Sequence, residues 1–291
     1  MSETDTMLSR LKRLLPAAIG GDRIVIPVVR IQGAIGNIGP FRQGVSLAAL
    51  AGPLRKAFST KAPAVAIVLN SPGGSPVQSN LIFHRIRALA EEKRKTVIVA
   101  VEDVAASGGY LIALSGDEIV VDPSSIVGSI GVVSAGFGFV RLIEKIGVDR
   151  RVHTAGENKA MLDPFQPERE SDVAHLKALQ RDVHDMFIHL VQDRRGKKLA
   201  DDPALFTGAF WSGLRGVELG LADRIGDLRS VLQERYGEKV ELRLVGGRRN
   251  LLRSLVGSRV AGHGTAILGG DLADHAIGAI EERALWARYG L

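Results

Sequence analysis

A serine followed by two glycines stands in the segment Val104–Tyr110, between two apolar stretches of the chain. Small residues surround Ser107, and Gly108 and Gly109 follow it directly. A serine nucleophile at a turn between a strand and a helix needs small neighbours, because a substrate backbone must come close to its hydroxyl oxygen. The same pattern is also typical of a tight turn whose serine caps a helix. Both interpretations stay open on this segment alone.

A second pair of glycines, Gly73-Gly74, lies in the turn-forming stretch 70–76 after another short apolar run. Neither glycine pair matches the nucleotide-binding patterns G-x-x-x-x-G-K-S/T or G-x-G-x-x-G, which disfavours a phosphate-binding fold. Glycine turns at helix N-termini can also present backbone N–H groups to a developing oxyanion. If Ser107 is a nucleophile, we therefore expect the amides of Gly108 and Gly74 to form the oxyanion hole.

A serine nucleophile needs a base that removes its proton. His153, with Asp103 or Asp163 behind it, is the best histidine candidate, but nothing in its surroundings selects it. Lys159 lies in a loop beside apolar residues, and a lysine can act as a base when burial lowers its pKa from about 10.4. Glu157 argues against that role, because a nearby carboxylate would keep the amine protonated. From the residues alone, Lys159 is more typical of a solvated loop.

Composition restricts the remaining chemistry. Hydrophobic residues make up 45% of the 291 residues, enough for a large core. The absence of cysteine excludes disulfides, thiolate nucleophiles and thiolate metal ligands. There is no H-E-x-x-H motif, and we expect neither a metal nor a cofactor. The net charge of +6 is spread along the chain and aromatics amount to 5%, which does not favour binding of nucleic acid.

Short apolar runs alternate with amphipathic stretches from Ile24 to Val245, which predicts an α/β domain of stacked strand–helix units. The longest predicted helices cover residues 77–93 and 167–198, and a shorter helix covers residues 228–236. The predicted strands cover residues 24–31, 64–69, 96–101, 118–121, 151–154 and 240–245.

Three segments follow from this pattern. Residues 1–21 form an N-terminal amphipathic segment, residues 22–245 the α/β domain, and residues 246–291 a linker with a C-terminal amphipathic helix. We find neither a secretory signal nor a run of 18 or more apolar residues, and therefore expect a cytoplasmic protein without a transmembrane helix. Basic and apolar residues between Met7 and Leu15 suit peripheral contact with the inner face of the cytoplasmic membrane.

Taken together, four segments resemble the signal peptide peptidase A (SppA) family of Ser/Lys peptidases in its short, single-unit form. They are residues 70–75, 104–110, 127–132 and 154–159, and they occur in the family's order and spacing. Each segment is a weak signal alone, and four in register are a strong one.

Carried over residue by residue, the resemblance implies that Ser107 is the nucleophile and Lys159 the general base. It further implies that Ser129 orients the lysine amine, and that Gly74 and Gly108 donate to the oxyanion. For Lys159, this expectation replaces the solvated loop that the residues alone favour.

The resemblance also implies a fold similar to that of ClpP and the crotonases, built of stacked ββα units. It implies a ring-like homo-oligomer in which a neighbouring subunit can complete the Ser/Lys pair. The implied substrates are signal peptides and other short or unfolded segments, held as an extended strand. The sequence departs from the family in lacking the usual N-terminal membrane anchor and in carrying the extension 246–291, which has no assigned role.

Two other classes of function remain as alternatives. A crotonase-type acyl-CoA enzyme would share the fold and the paired glycine donors, and it would leave Ser107 without a catalytic role. A catalytically silent scaffold at the membrane would use the basic N-terminal segment and the C-terminal helix instead. Binding of acyl-CoA distinguishes the first alternative, and failure to react with a serine-directed probe distinguishes the second.

Overall fold

The computed structural model describes residues 23–36, 44–246, 279–280 and 282–291. The predicted N-terminal segment 1–21 and most of the predicted linker lie outside the described residues. Within the described ranges, no helix is both long and apolar enough to cross a lipid bilayer.

One eight-stranded sheet forms the centre of the molecule. Its strands are β1 (Val25–Gln32), β2 (Ala64–Ser71), β3 (Thr96–Ala106), β4 (Glu118–Val121), β5 (Ile126–Gly128), β6 (Phe210–Ser212), β7 (Arg224–Ile225) and β8 (Glu241–Leu244). The order is β6-β5-β3-β2-β1-β8, and β4 and β7 continue the sheet beside the first half of β3. Only the β5–β6 pairing is antiparallel among these strands.

The sheet forms because β2 and β3 are almost continuous apolar runs, which suit strands that are covered on both faces. Helices separate the parallel strands along the chain, as parallel pairing requires. The predicted α/β class is confirmed. The strand β6 was not predicted, because three residues are too few to show a period of two.

The helices are α1 (Leu47–Phe58), α2 (Pro76–Lys93), α3 (Gly108–Ala113), α4 (Val140–Lys145), α5 (Glu170–Arg195), α6 (Gly213–Glu218) and α7 (Leu228–Tyr236). Helices α1, α2, α3 and α5 contribute to the large core on one face of the sheet, and α7 packs against the other face. Serine side chains cap three of them: Ser46 accepts a hydrogen bond from the amide of Ala49, Ser75 from that of Gln78, and Ser212 from that of Arg215. A C-terminal helix covers residues 279–280 and 282–287.

Residues 132–168, which we call the arm, contribute nothing to the buried core. The arm contains α4, none of whose residues is buried. The predicted strand at residues 151–154 is wrong, because this segment is mostly exposed and has no neighbouring strand to pair with in the described part of the chain. A short run with strand-like composition needs a partner before it becomes a strand.

Candidate active site

Ser107 occupies the turn between β3 and α3, at the carboxyl edge of the sheet. Its backbone has φ +52° and ψ −122°, a conformation that side-chain-bearing residues rarely adopt and that is concentrated at functional sites. The Ser107 amide donates to the carbonyl of Gly128 at 2.8 Å, which fixes the turn to β5. Its side chain does not cap α3, and it remains half-buried. The helix-cap interpretation is therefore wrong, and the hydroxyl is left available for other partners.

The two glycine turns meet at this serine, although they are distant in sequence. A Cβ atom on Gly73 would lie 2.9 Å from the Cβ of Ser107 and 2.9 Å from the carbonyl oxygen of Ala106. A Cβ on Gly108 would lie 3.5 Å from the amide nitrogen of Gly74. The close approach explains the glycines, because side chains at these positions would separate the two turns.

The amides of Gly74 and Gly108 are suited to donate to one oxyanion. Two hydrogen bonds of 2.8 Å hold the peptide of Gly74 in place. The Ile35 amide donates to the Gly73 carbonyl, and the Ser75 amide donates to the Ile35 carbonyl. The Gly74 amide itself donates no hydrogen bond within the described residues. Gly108 is the first residue of α3, so its amide has no acceptor inside the helix.

At the position of Gly74, the turn cannot accept any other residue. Its φ of +138° disfavours any side chain, and a Cβ would lie 2.2 Å from the carbonyl oxygen of Ile35. The preceding Asn70 is buried and ties β2 to β3: its amide nitrogen donates to Asp103 at 2.5 Å, and its oxygen accepts from Val104 N–H at 3.3 Å. The pairing of β2 with β3 shifts register just after Asn70, which directs the glycine turn towards Ser107.

Ser129 lies beside Ser107 at the end of the adjacent strand. Ala106 pairs with Gly128, so the two serines follow neighbouring positions of parallel strands about 4.8 Å apart. Ser129 has φ +54°, and its amide donates to Ala209 at 2.7 Å. Only 4% of Ser129 is exposed, and its hydroxyl accepts a hydrogen bond from the Tyr289 hydroxyl at 3.3 Å. The structure thus brings together Ser107, Ser129 and the two glycine amides.

Lys159 does not join this group. It is exposed in a turn of the arm, where its amide donates to Gly156 at 3.2 Å. Its side-chain amine makes neither a hydrogen bond nor an ion pair with any described residue. The predicted nucleophile and the predicted base therefore make no contact within one chain.

The histidine alternative is not assembled either. His153 is exposed, and no hydrogen bond connects it to an aspartate among the described residues. Asp163 interacts with Arg150 at 3.3 Å, and Asp103 with Asn70. The described residues therefore contain no Ser-His-Asp arrangement around Ser107.

Two residues near the site were missed by the sequence analysis. His184 in α5 lies 3.1 Å from the carbonyl oxygen of Ile130, directly after Ser129, and Tyr289 contacts Ser129 itself. The spacing of His184 to the buried Phe187 and Val191 places it on the inner face of α5, which is a signal that the sequence contains. No local pattern marks Tyr289, because its contacts come from residues far away along the chain.

Comparison with known proteins adds a family to this geometry. A model described as Peptidase family S49 matches residues 89–242, slightly more than half of the chain. The match includes Ser107, Ser129 and Lys159, and it leaves Gly74 outside.

Among curated proteins, a relative from Brucella abortus named Na(+)/H(+) antiporter NhaA is 55% identical over 290 residues. The match covers 97% of this chain but only 39% of that protein, so the name does not describe the region shared with this chain. The chloroplastic serine protease SPPA of Arabidopsis thaliana is 32% identical over 221 residues, which are 72% of this chain and 31% of that protein.

Among solved structures, a mutant of the 1510-N membrane-bound stomatin-specific protease is similar to this chain, with a TM-score of 0.49 and 16% identity. The superposition covers 79% of this chain and 100% of the other.

Proposed function

Because this chain belongs to peptidase family S49, we propose that it is a serine endopeptidase in which Ser107 is the nucleophile and Lys159 the general base. The domain that carries out the reaction is the α/β unit of residues 22–245. The observation that carries the proposal is the turn at Ser107. The serine hydroxyl does not cap the helix, and the two glycine turns lie next to it.

The reaction follows from the groups around Ser107. The neutral amine of Lys159 removes the hydroxyl proton while Ser107 Oγ attacks the peptide carbonyl carbon. The N–H groups of Gly74 and Gly108 stabilise the negative charge that develops on the carbonyl oxygen. The lysine then protonates the leaving amine, and water hydrolyses the ester on Ser107 by the same steps. Ser129 accepts a hydrogen bond from the lysine amine and directs it at the nucleophile.

We further propose that a neighbouring subunit supplies Lys159. The arm exposes Phe137 to 75%, Val133 to 67% and Ile146 to 64%, which is costly for apolar side chains in water. Packing of this surface on a second copy would cover these side chains and bring Lys159 to the Ser107 of the partner. Repeated around an axis, such a head-to-tail contact closes into a ring, as the resemblance to the SppA family implies.

The proposed substrates are signal peptides and other short or unfolded segments. An extended peptide presents its backbone to Ser107 without unfolding, which suits a nucleophile at a sheet edge. The identification of signal peptides rests on the motif resemblance. The proposed peripheral membrane contact rests on the basic and apolar residues between Met7 and Leu15.

A test of this proposal compares hydrolysis of a fluorogenic peptide library by the unmodified chain, Ser107→Ala and Lys159→Ala. We expect each variant to lose about 10³-fold or more in kcat/KM, because each removes a reacting group. Lys159→Arg should not restore activity, since a guanidinium stays protonated. Mixing the two alanine variants should restore part of the activity, because mixed assemblies contain intact pairs across interfaces.

Two control variants match these changes. Ser124→Ala replaces an exposed serine in the loop before β5, and Lys145→Ala replaces another lysine of the arm. Both should hydrolyse the library as the unmodified chain does. Full activity of Ser107→Ala would refute the nucleophile, and absence of recovery on mixing would refute the pairing between subunits.

A further inference from the structure

The C-terminal segment, residues 279–280 and 282–291, has no role in the peptidase mechanism and yet lies against the candidate active site. Tyr289 is the buried residue of this segment, with 7% of its surface exposed. It forms a small apolar cluster with Val104 and Ala106, two buried residues at the end of β3 that lie outside the large core. A helix that served only as a solvated tail would have no reason to bury an aromatic ring at this point.

The Tyr289 hydroxyl is bonded to the residue that should orient the lysine. It donates to Ser129 Oγ at 3.3 Å in a buried position. Its ring also stands edge-on to Phe210 of β6, with 5.0 Å between the ring centroids and 74° between the ring planes. The ring is thus held from both sides, by the end of β3 and by the edge strand β6.

The course of the segment places it across the strand ends where Ser107 lies. Glu282 lines a cleft with Arg30 and Gly33 at the carboxyl end of β1, whereas Tyr289 reaches β3, β5 and β6. The six helical residues 282–287 rise about 9 Å, and two strand spacings in a sheet amount to about 10 Å. The segment therefore spans from β1 to β3 over the carboxyl edge of the sheet.

With Tyr289 in place, Ser129 cannot receive the lysine. The serine is only 4% exposed, and the phenol already occupies the position of a hydrogen-bond donor to its hydroxyl. Because Ser129 is almost fully covered, a lysine amine would have to displace Tyr289 to reach its hydroxyl.

We infer that the C-terminal segment is an internal ligand that blocks the peptidase site, with the Tyr289 hydroxyl in the place of the lysine amine at Ser129. Activity then requires the segment to leave, and the observed rate is reduced by the fraction of molecules in the blocked state. The inference rests on the proposed Ser107/Lys159 mechanism.

The test measures peptide hydrolysis and labelling of Ser107 by a serine-directed probe in the full-length chain. We expect Tyr289→Ala to raise kcat/KM about tenfold, as it would if the blocked state predominates by about ten to one. Tyr289→Phe keeps the ring and removes only the hydroxyl, so its increase should be smaller. Arg283→Ala changes an exposed residue of the same helix and should behave as the unmodified chain.

A synthetic peptide of residues 282–291 supplies the second measurement. Added to Tyr289→Ala, it should lower the activity again, whereas the same peptide with alanine in place of its tyrosine should not. Unchanged or lower activity of Tyr289→Ala, in a chain that does hydrolyse peptides, would overturn the block and leave the peptidase standing. If no variant hydrolyses peptides or reacts at Ser107, the proposed function fails and the block fails with it.

Discussion

The surroundings of Ser107 and those of Lys159 differ in almost every physical respect. Ser107 follows a strand whose last three residues are completely buried, and its turn is fixed by hydrogen bonds to β5 and by the contact of two glycine turns. Lys159 lies in an arm that has no buried residue, and its amine has no partner among the described residues. The proposed nucleophile and the proposed oxyanion donors are thus held in place within one chain, and the proposed base is not.

This difference indicates which step of the proposed reaction can be regulated. A preorganised oxyanion hole costs no reorganisation during the reaction, which is why it belongs to the rigid sheet. A base on a loosely packed arm can be supplied by assembly and withheld by a competing group. On the mechanism proposed above, assembly and the C-terminal segment would both control one step, the arrival of the lysine at Ser129.

The largest effect on activity should come from a change beside Ser107, in the well-packed region. Gly74→Ala places a methyl group 2.2 Å from the Ile35 carbonyl and displaces one oxyanion donor. We expect kcat to fall by about 10²–10³, which is the usual loss for one such donor. Measurement of kcat and KM by steady-state peptide hydrolysis tests this expectation.

A matched control separates the oxyanion from backbone strain. Gly237→Ala also puts a side chain at a positive φ, of +89°, but finds no atom within 4 Å and lies at the end of α7. It should cost about 1 kcal/mol of stability and leave kcat unchanged. Equal losses of kcat in the two variants would show that the preorganised side has no special place in catalysis.

A smaller effect on activity should come from a change in the exposed arm. Phe137→Asp introduces a charge into the apolar surface of the arm, so we expect about nine tenths of the proposed oligomer to dissociate. Activity should then fall about tenfold, because the assembled fraction that remains keeps its lysine. The free energy of unfolding of the monomer should change by less than about 0.5 kcal/mol, because the side chain is 75% exposed. Light scattering and denaturant titration measure the two quantities.

Leu244→Asp provides the comparison for the arm. Leu244 is 57% exposed on β8, at the opposite edge of the sheet from β6. This variant should keep both assembly and activity. An intact oligomer in Phe137→Asp would mean that the arm is not the interface, and the contrast between the two regions would need another explanation.

The smallest effect on activity should come from Asp223, a half-buried residue that pairs with Arg195 and has no proposed catalytic role. Burial raises its pKa, but hydrogen bonds from Arg195, Lys198 and the Ile119 amide outweigh burial and lower the pKa below the ordinary value. The pair therefore stabilises the fold at pH values above the pKa of the unfolded chain, about 3.9, and this contribution is lost as the pH falls through the folded pKa.

We expect Asp223→Asn to lower the stability at pH 7 by about 3–5 kcal/mol, because Arg195 is left buried without a counter-charge. The difference from the unmodified chain should shrink below about pH 4, where the aspartate becomes protonated. Peptide hydrolysis at pH 7 and 25 °C should remain close to that of the unmodified chain. Asp201→Asn, at an exposed position, should show no pH-dependent difference in denaturant titrations.

Much of the fold was predictable from the sequence. The bounds of α7 agree with the prediction for residues 228–236, and those of β4 agree with residues 118–121. Strands such as β2 and β3 were predictable because continuous apolar runs identify strands covered on both faces. The turn at Ser107 and the glycine pairs could be read locally too, since glycine marks backbone that other residues avoid.

Tertiary structure alone decided the rest. The contact between Gly74 and Gly108 depends on the register shift after Asn70, and the arrival of Tyr289 at Ser129 joins residues 160 positions apart. The segment 151–154 has strand-like residues but no neighbouring strand, so its composition misled the prediction. Sequence patterns report the preferences of nearby residues, whereas strand pairing and the burial of single side chains depend on distant parts of the chain. Local sequence therefore determined which residues could do the chemistry, and packing decided which of them meet.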